Sequence, residues 1–143
     1  MISREKAAEF VLTRAEASEA LGMSRPAFQY HLNQGTYRPL KVVKPKQNAV
    51  RTIDLFWKPD LIEGLDYTPE EKEEAMENVL LRAEALEFLD MSSQNFRSNQ
   101  KYFSVLKEYQ PPENQKRSTK LYWKPDLIEY KEARKFFRRK NDT

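Results

Sequence analysis

Apolar positions recur at two spacings along this chain, and the change from one to the other lays out the elements. Ala17, Ala20 and Leu21 share a face at helical spacing, which predicts a short helix over Arg14 to Leu21 capped by Thr13. Gly22 stands where a left-handed residue ends a helix. Ser24 caps the next helix, with Pro26 in its first turn, where no hydrogen-bond donor is lost. Phe28 and Leu32 lie one turn apart on its inner face, and Gly35 closes it. Two helices joined by a short turn make a helix-turn-helix. The period then shortens. Leu40 to Lys44 alternates loosely, Pro45 to Ala49 is a turn cluster, and Arg51 to Trp57 alternates well, which predicts a hairpin. Lys58-Pro59-Asp60 opens a last helix with a proline and an acid in its first turn, and Trp57 is expected to seat that helix on the core.

The same pattern occurs twice. The block Val11 to Ser24 returns 68 residues later as Val79 to Met91-Ser92, and Leu55 to Glu63 returns 66 residues later as Leu121 to Glu129 with eight of nine residues kept. Two separated blocks in the same order mark a duplicated unit of about 60 residues. Each unit opens with a helix, Ser3 to Phe10 in the first and Glu71 to Asn78 in the second, where Thr68-Pro69-Glu70-Glu71 spells a capping box. In the second unit Asp90 takes the place of Gly22, the hairpin tip is Gln110 to Arg117, and the return strand is Ser118 to Trp123. The signal of Gly35 is lost in Lys101 to Leu106, so the length of the second unit's inner helix is open.

The residues from Leu12 to Arg25, followed by Phe28, Leu32, Gly35, a hairpin and a Trp-x-Pro-Asp-Leu helix, resemble the excisionase/MerR-like winged helix-turn-helix domain. The resemblance covers nearly all of the first unit and less of the second. It implies DNA binding through a recognition helix and a wing, in a class that includes phage and plasmid regulators and recombination directionality factors. The expected fold is mainly α with small β-wings, an α+β protein of two tandem winged helix-turn-helix domains. Residues 1–66 form the first, and residues 67–143 the second, with a basic C-terminal helix and a linker around Gly64 to Thr68.

A unit of this size buries only a marginal core, so the copies are expected to pack on each other or on a partner. The chain has no cysteine, hence no disulfide framework and no thiolate metal site. Its start, Met1-Ile-Ser-Arg-Glu-Lys6, lacks the apolar stretch of a signal peptide, and no run is long and apolar enough for a membrane span. A cytoplasmic, nucleoid-associated location is expected.

Net charge is only +3, but its distribution is segregated. Arg25 to Lys58 holds seven basic residues and one acid, and Met91 to Lys124 holds seven against two. Asp60 to Asp90 holds eleven acids against two bases, and Lys131 to Lys140 six bases against one acid. Basic charge repeated in the second half of each unit is an electrostatic footprint for a polyanion.

Little in the chain supports catalysis. His31 is the single histidine, and a triad or zinc site needs more partners. The three glycines are too dispersed for a phosphate-cradling loop. Pro125-Asp126 to Glu129-Tyr130-Lys131 has a superficial nuclease look, but its spacing fits a helix start better. No enzyme activity and no cofactor or metal is expected.

The candidate surface is the polar face of the second helix in each helix pair. Base-reading candidates are Arg25, Gln29, Tyr30 and Asn33 in the first unit, and Ser93, Gln94, Arg97, Ser98 and Lys101 in the second. Arginine can pair with guanine, and Gln or Asn with adenine, in the major groove. Phosphate candidates are Lys41, Lys44, Lys46, Arg51, Lys116, Arg117 and Lys120, which would position the protein without reading sequence. The expected partner is double-stranded DNA, with a second subunit or protein partner open to the C-terminal helix through Ala133, Phe136 and Phe137. The role expected is a small regulator of transcription or recombination, with a phage, plasmid or other mobile element as the home the resemblance suggests. Two alternatives stand beside it. One is a replication-initiator or partition-type DNA binder with tandem winged helices. The other is a protein-interaction module, kept open by the acidic stretch Asp60 to Asp90.

Overall fold

A computed structural model describes residues 1–43, 53–109 and 119–141, with side chains through residue 134. The first unit runs α1 (Arg4–Phe10), β1 (Val11–Thr13), α2 (Arg14–Ala20), α3 (Arg25–Asn33), β2 (Lys41–Val43), β3 (Ile53–Trp57) and α4 (Lys58–Leu61). The second repeats the order as α5 (Pro69–Asn78), β4 (Val79–Leu80), α6 (Arg82–Leu89), α7 (Ser93–Ser98), a single 3-10 turn (Gln100–Tyr102), β5 (Val105–Tyr109), β6 (Thr119–Trp123) and α8 (Lys124–Asn141). The protein is α+β, with two three-stranded antiparallel sheets ordered β1-β3-β2 and β4-β6-β5.

Local chemistry sets the boundaries. Thr13 and Glu16 form a full capping box at α2, and Thr68 and Glu71 another at α5. Leu81 replaces Thr13 in the second unit, so α6 keeps only the half in which Glu84 accepts from the Leu81 backbone N–H, at 3.0 Å. Ser24 and Ser92 cap α3 and α7 through their hydroxyls. After α2 the chain turns through Gly22 at φ +66°, and after α6 through Asp90 at φ +53°. The aspartate therefore occupies the left-handed conformation that glycine adopts freely in the first unit.

Two strands were not legible in the sequence. Val11 to Thr13 pairs antiparallel with Leu55 to Trp57, and Val79-Leu80 pairs with Tyr122-Trp123. These short strands show no alternation because both of their faces are covered. Val11 enters one core and Leu12 another.

Each central strand likewise separates two cores. In β3, Phe56 faces its own helix pair, joining Leu12, Ala17 and Phe28. Phe28 meets Phe56 edge-on at 5.1 Å and stacks on Tyr37 at 5.9 Å. The second unit reproduces this trio as Phe96, Tyr122 and Phe103, at 5.4 and 4.8 Å. On the other face of β3, Leu55 and Trp57 enter a core shared by both units. Seven of its buried residues come from the first copy, Phe10, Val11 and Leu40 among them, and six from the second, including Val79, Leu106, Leu121 and Trp123. The contributions are close to equal, so neither copy completes this shared core alone.

Ion pairs frame that shared core reciprocally. Arg4 Nε meets Asp126 of the other copy at 3.0 Å, and Lys72 Nζ meets Asp60 at 2.8 Å. Lys41 meets Glu84 at 3.0 Å, and Lys107 meets Glu16 at 3.1 Å. With the offsets of 68 and 66 residues, Arg4 corresponds to Lys72, Asp60 to Asp126, Lys41 to Lys107 and Glu16 to Glu84. Each pair thus has a counterpart with the copies exchanged.

Trp57 is fully buried, but it seats the first helix of its unit more than the last. Its ring packs edge-on against Phe10 of α1 at 5.3 Å and against Tyr67 at 5.5 Å. Tyr67 and Leu65 thereby bind the connection between the units onto the shared core. α4 stops after four residues because Ile62 is extended, ahead of Gly64 at φ +91°. α8 continues the equivalent helix to Asn141.

Candidate nucleic-acid interface

α3 is oriented by its buried side. Phe28 is 1% exposed, and Leu32 packs on the same cluster. This turns Arg25, Tyr30 and Asn33 outward and leaves Gln29 half-buried. The polar face is internally ordered. The Arg14 guanidinium donates to Gln29 Oε1, and Gln29 Nε2 donates to Asn33 Oδ1 at 2.9 Å. Tyr30 is 60% exposed, an unusual position for a large ring. Half-buried His31 lies edge-on between Tyr30 and Tyr37, at 5.6 and 5.8 Å.

α7 follows the same logic in a shorter helix of six residues. Phe96 is fully buried, and Ser93, Gln94, Arg97 and Ser98 are exposed. Lys101 lies beyond the helix in the 3-10 turn, exposed, with its ammonium 5.1 Å over the Tyr102 ring. Arg82, the counterpart of Arg14, donates to Ser93 Oγ at 2.9 Å and covers the Phe96 ring at 5.6 Å. Arg14 and Arg82 were absent from the sequence-derived candidates. Their identity in the duplicated block was the available signal.

The hairpin residues divide. Lys44, Lys46, Arg51, Lys116 and Arg117 lie outside the described residues. Lys120 is half-buried in β6 opposite Glu108. Lys41 needs a correction. Its side chain is only 11% exposed, and its ammonium is held by Glu84, by the Met76 carbonyl at 3.1 Å and by the Val79 carbonyl. That ammonium is engaged by groups of the other copy. Burial pulls its pKa below the ordinary 10.5, with Glu84 opposing the shift. Lys107 behaves the same way against Glu16.

The hairpin of the second copy reaches the helix pair of the first. The Tyr109 hydroxyl donates to Glu19 Oε1 at 2.6 Å, which raises the phenol pKa above 10.0. A cleft of about 500 Å³ lies there, bordered by Arg25 and Gln29 of α3, by Ile53 and Asp54 of β3, and by Tyr109 and Thr119 of the other copy. The candidate helix and a hairpin from the other unit therefore share one surface.

Five of the eleven acids in the stretch Asp60 to Asp90 have partners within the chain. Asp60 holds Lys72, Glu71 holds Lys6 at 2.9 Å, Glu74 accepts from the Ile2 backbone N–H, and Glu84 holds Lys41. Glu77 lies 3.7 Å from Lys124. Asp126 and Lys131, from the nuclease-like string, are occupied by Arg4 and by the Phe88 carbonyl and ring. Among the described residues, no group of three His, Cys, Asp or Glu side chains is placed to hold a metal, and no helix is long and apolar enough to cross a membrane.

Fold and surface together define an internally duplicated α+β protein with a polar helix face exposed in each half. In comparison with known proteins, the chain matches no family model, no curated protein and no solved structure.

Proposed function

We propose that the chain binds double-stranded DNA sequence-specifically as two tandem winged helix-turn-helix units, serving as a small regulator of transcription or recombination. One observation carries the reading. In each half the second helix of the pair buries a phenylalanine and presents polar side chains outward, Arg25, Tyr30 and Asn33 on α3 and Ser93, Gln94, Asn95, Arg97 and Ser98 on α7. Those residue types supply the donors and acceptors that pair with base edges in the major groove. The segments 44–52 and 110–118 of the two units carry more basic than acidic residues, as phosphate contacts require.

The protein-interaction alternative rested on the acidic stretch. Asp60, Glu71, Glu74, Glu77 and Glu84 have partners in the same chain, but Glu63, Asp66, Glu70, Glu73, Glu87 and Asp90 are exposed, so that stretch still offers negative charge to a docking protein. Duplex binding is tested by titrating a labelled mixed-sequence duplex at several salt concentrations. With about six phosphate contacts, affinity should fall on the order of a thousandfold between about 50 and 200 mM salt. A flat salt response would count against DNA as the ligand.

A further inference from the structure

The way the copies pack bears on the kind of DNA site, and this step rests on the duplex-binding reading. Tandem copies in a sequence suggest, at first sight, a direct repeat in the DNA. The packing argues otherwise. Arg4–Asp126 is answered by Lys72–Asp60, and Lys41–Glu84 by Lys107–Glu16. A contact from one copy to the other, matched by the same contact with the copies exchanged, marks an isologous interface. Two-fold rotation generates such an interface, whereas head-to-tail stacking joins two different patches. The shared core agrees, since Val11, Leu40, Leu55 and Trp57 enter it together with their counterparts Val79, Leu106, Leu121 and Trp123.

The position of the axis follows from the cleft. Ile53 and Thr119 are equivalent residues, and both line it. A site lined by a residue and its own counterpart lies beside the axis. α3 forms one rim through Arg25 and Gln29. The rotation carries α7 to the other side of the axis, at the same end, while the other copy's contribution to the cleft itself is Tyr109 and Thr119.

We infer that the chain recognises an imperfect inverted repeat, with α3 and α7 reading two half-sites of opposite orientation about one helical turn apart. The half-sites are unlike in sequence, because Arg25, Gln29 and Tyr30 correspond to Ser93, Arg97 and Ser98. α3 spans nine residues and α7 six, so the second half-site is read by the shorter helix.

The test uses the full chain and a randomised duplex pool. Bound duplexes are recovered and sequenced, and the expected motif is two related but unlike half-sites in opposite orientation. One half-site of the recovered duplex is then reversed in place, which keeps its composition and both half-sites. Affinity is expected to fall on the order of a hundredfold, as when linked modules can no longer dock together. Recovery of half-sites in the same orientation, recovery of one half-site alone, or an affinity unchanged by the reversal overturns the inverted repeat and leaves duplex binding standing. Failure to enrich any motif overturns duplex binding, and the inverted repeat with it.

Discussion

Leu121 tests whether the two copies share one core or merely touch. It is fully buried in β6, among residues from both units. Truncation to alanine removes the transfer free energy of a buried leucine, about 1.5–3 kcal/mol. The cavity left behind adds to this, and comparable buried sites lose about 2–5 kcal/mol in total. For a chain of 143 residues, a loss of about 3 kcal/mol lowers Tm by about 6–12 °C. The informative question is which half responds. The chain has one tryptophan per copy, Trp57 and Trp123, both in the shared core. Trp123→Phe leaves Trp57 as a fluorescent reporter of the first copy. In that background, Leu121→Ala should shift the Trp57 unfolding midpoint by as much as it shifts the midpoint from far-ultraviolet circular dichroism. A Trp57 transition that stayed in place while the circular dichroism midpoint fell would refute the shared core.

Other predictions follow from the same contacts. Lys41→Met should cost about 1–3 kcal/mol, because Glu84 and two carbonyls lose their donor. The variant should leave the salt slope of DNA binding unchanged, whereas a phosphate contact would reduce it by about 0.9. Asp90→Gly should stabilise the fold by up to about 1 kcal/mol in denaturant titrations, by relieving the left-handed residue, and Gly22→Asp should cost about as much. The Glu71 carboxyl is held below its ordinary 4.5 by the Lys6 ammonium first and then by the Thr68 backbone N–H. Its contribution to stability is therefore complete above pH 4.5 and is lost as pH falls through the lowered value. Lys6→Met should flatten that acid limb in denaturation midpoints, and an identical limb in both proteins would remove the pair from the account.

The sequence carried the local structure well where one residue decides it. Thr13, Ser24 and Thr68 mark helix starts, and Gly22 and Asp90 mark left-handed ends, all through backbone requirements that few residues meet. β1 and β4 escaped notice because a short strand covered on both faces has no alternation to detect. Packing between the copies was expected from the small size of each unit, but the residues that form the shared core were not legible, for a different reason. Leu55, Phe56 and Trp57 are all apolar, and a run cannot say which face meets the other copy. The charges misled in the same way. Lys41 looks like a surface base until the fold brings Glu84 to it, 43 residues away in sequence. At the candidate interface, the outward faces of α3 and α7 were readable from the burial of Phe28 and Phe96 alone. The crossing of the second hairpin to Glu19 depends on tertiary packing that no local pattern encodes.

The central claim is that the outward faces of α3 and α7 read bases. The most direct measurement is the base-preference profile of Gln29→Ala and Arg97→Ala beside the unmodified chain, taken across all single substitutions of a selected duplex. Arg97 is exposed on α7 and Gln29 is half-buried on the polar side of α3, and the buried anchors of both helices, Phe28 and Phe96, are untouched. Each variant should lose about 1–3 kcal/mol of discrimination at one or two base pairs, with the two variants affecting different half-sites. Profiles that keep their shape while affinity falls uniformly would contradict the account, and would assign these helix faces to positioning or to no DNA contact at all.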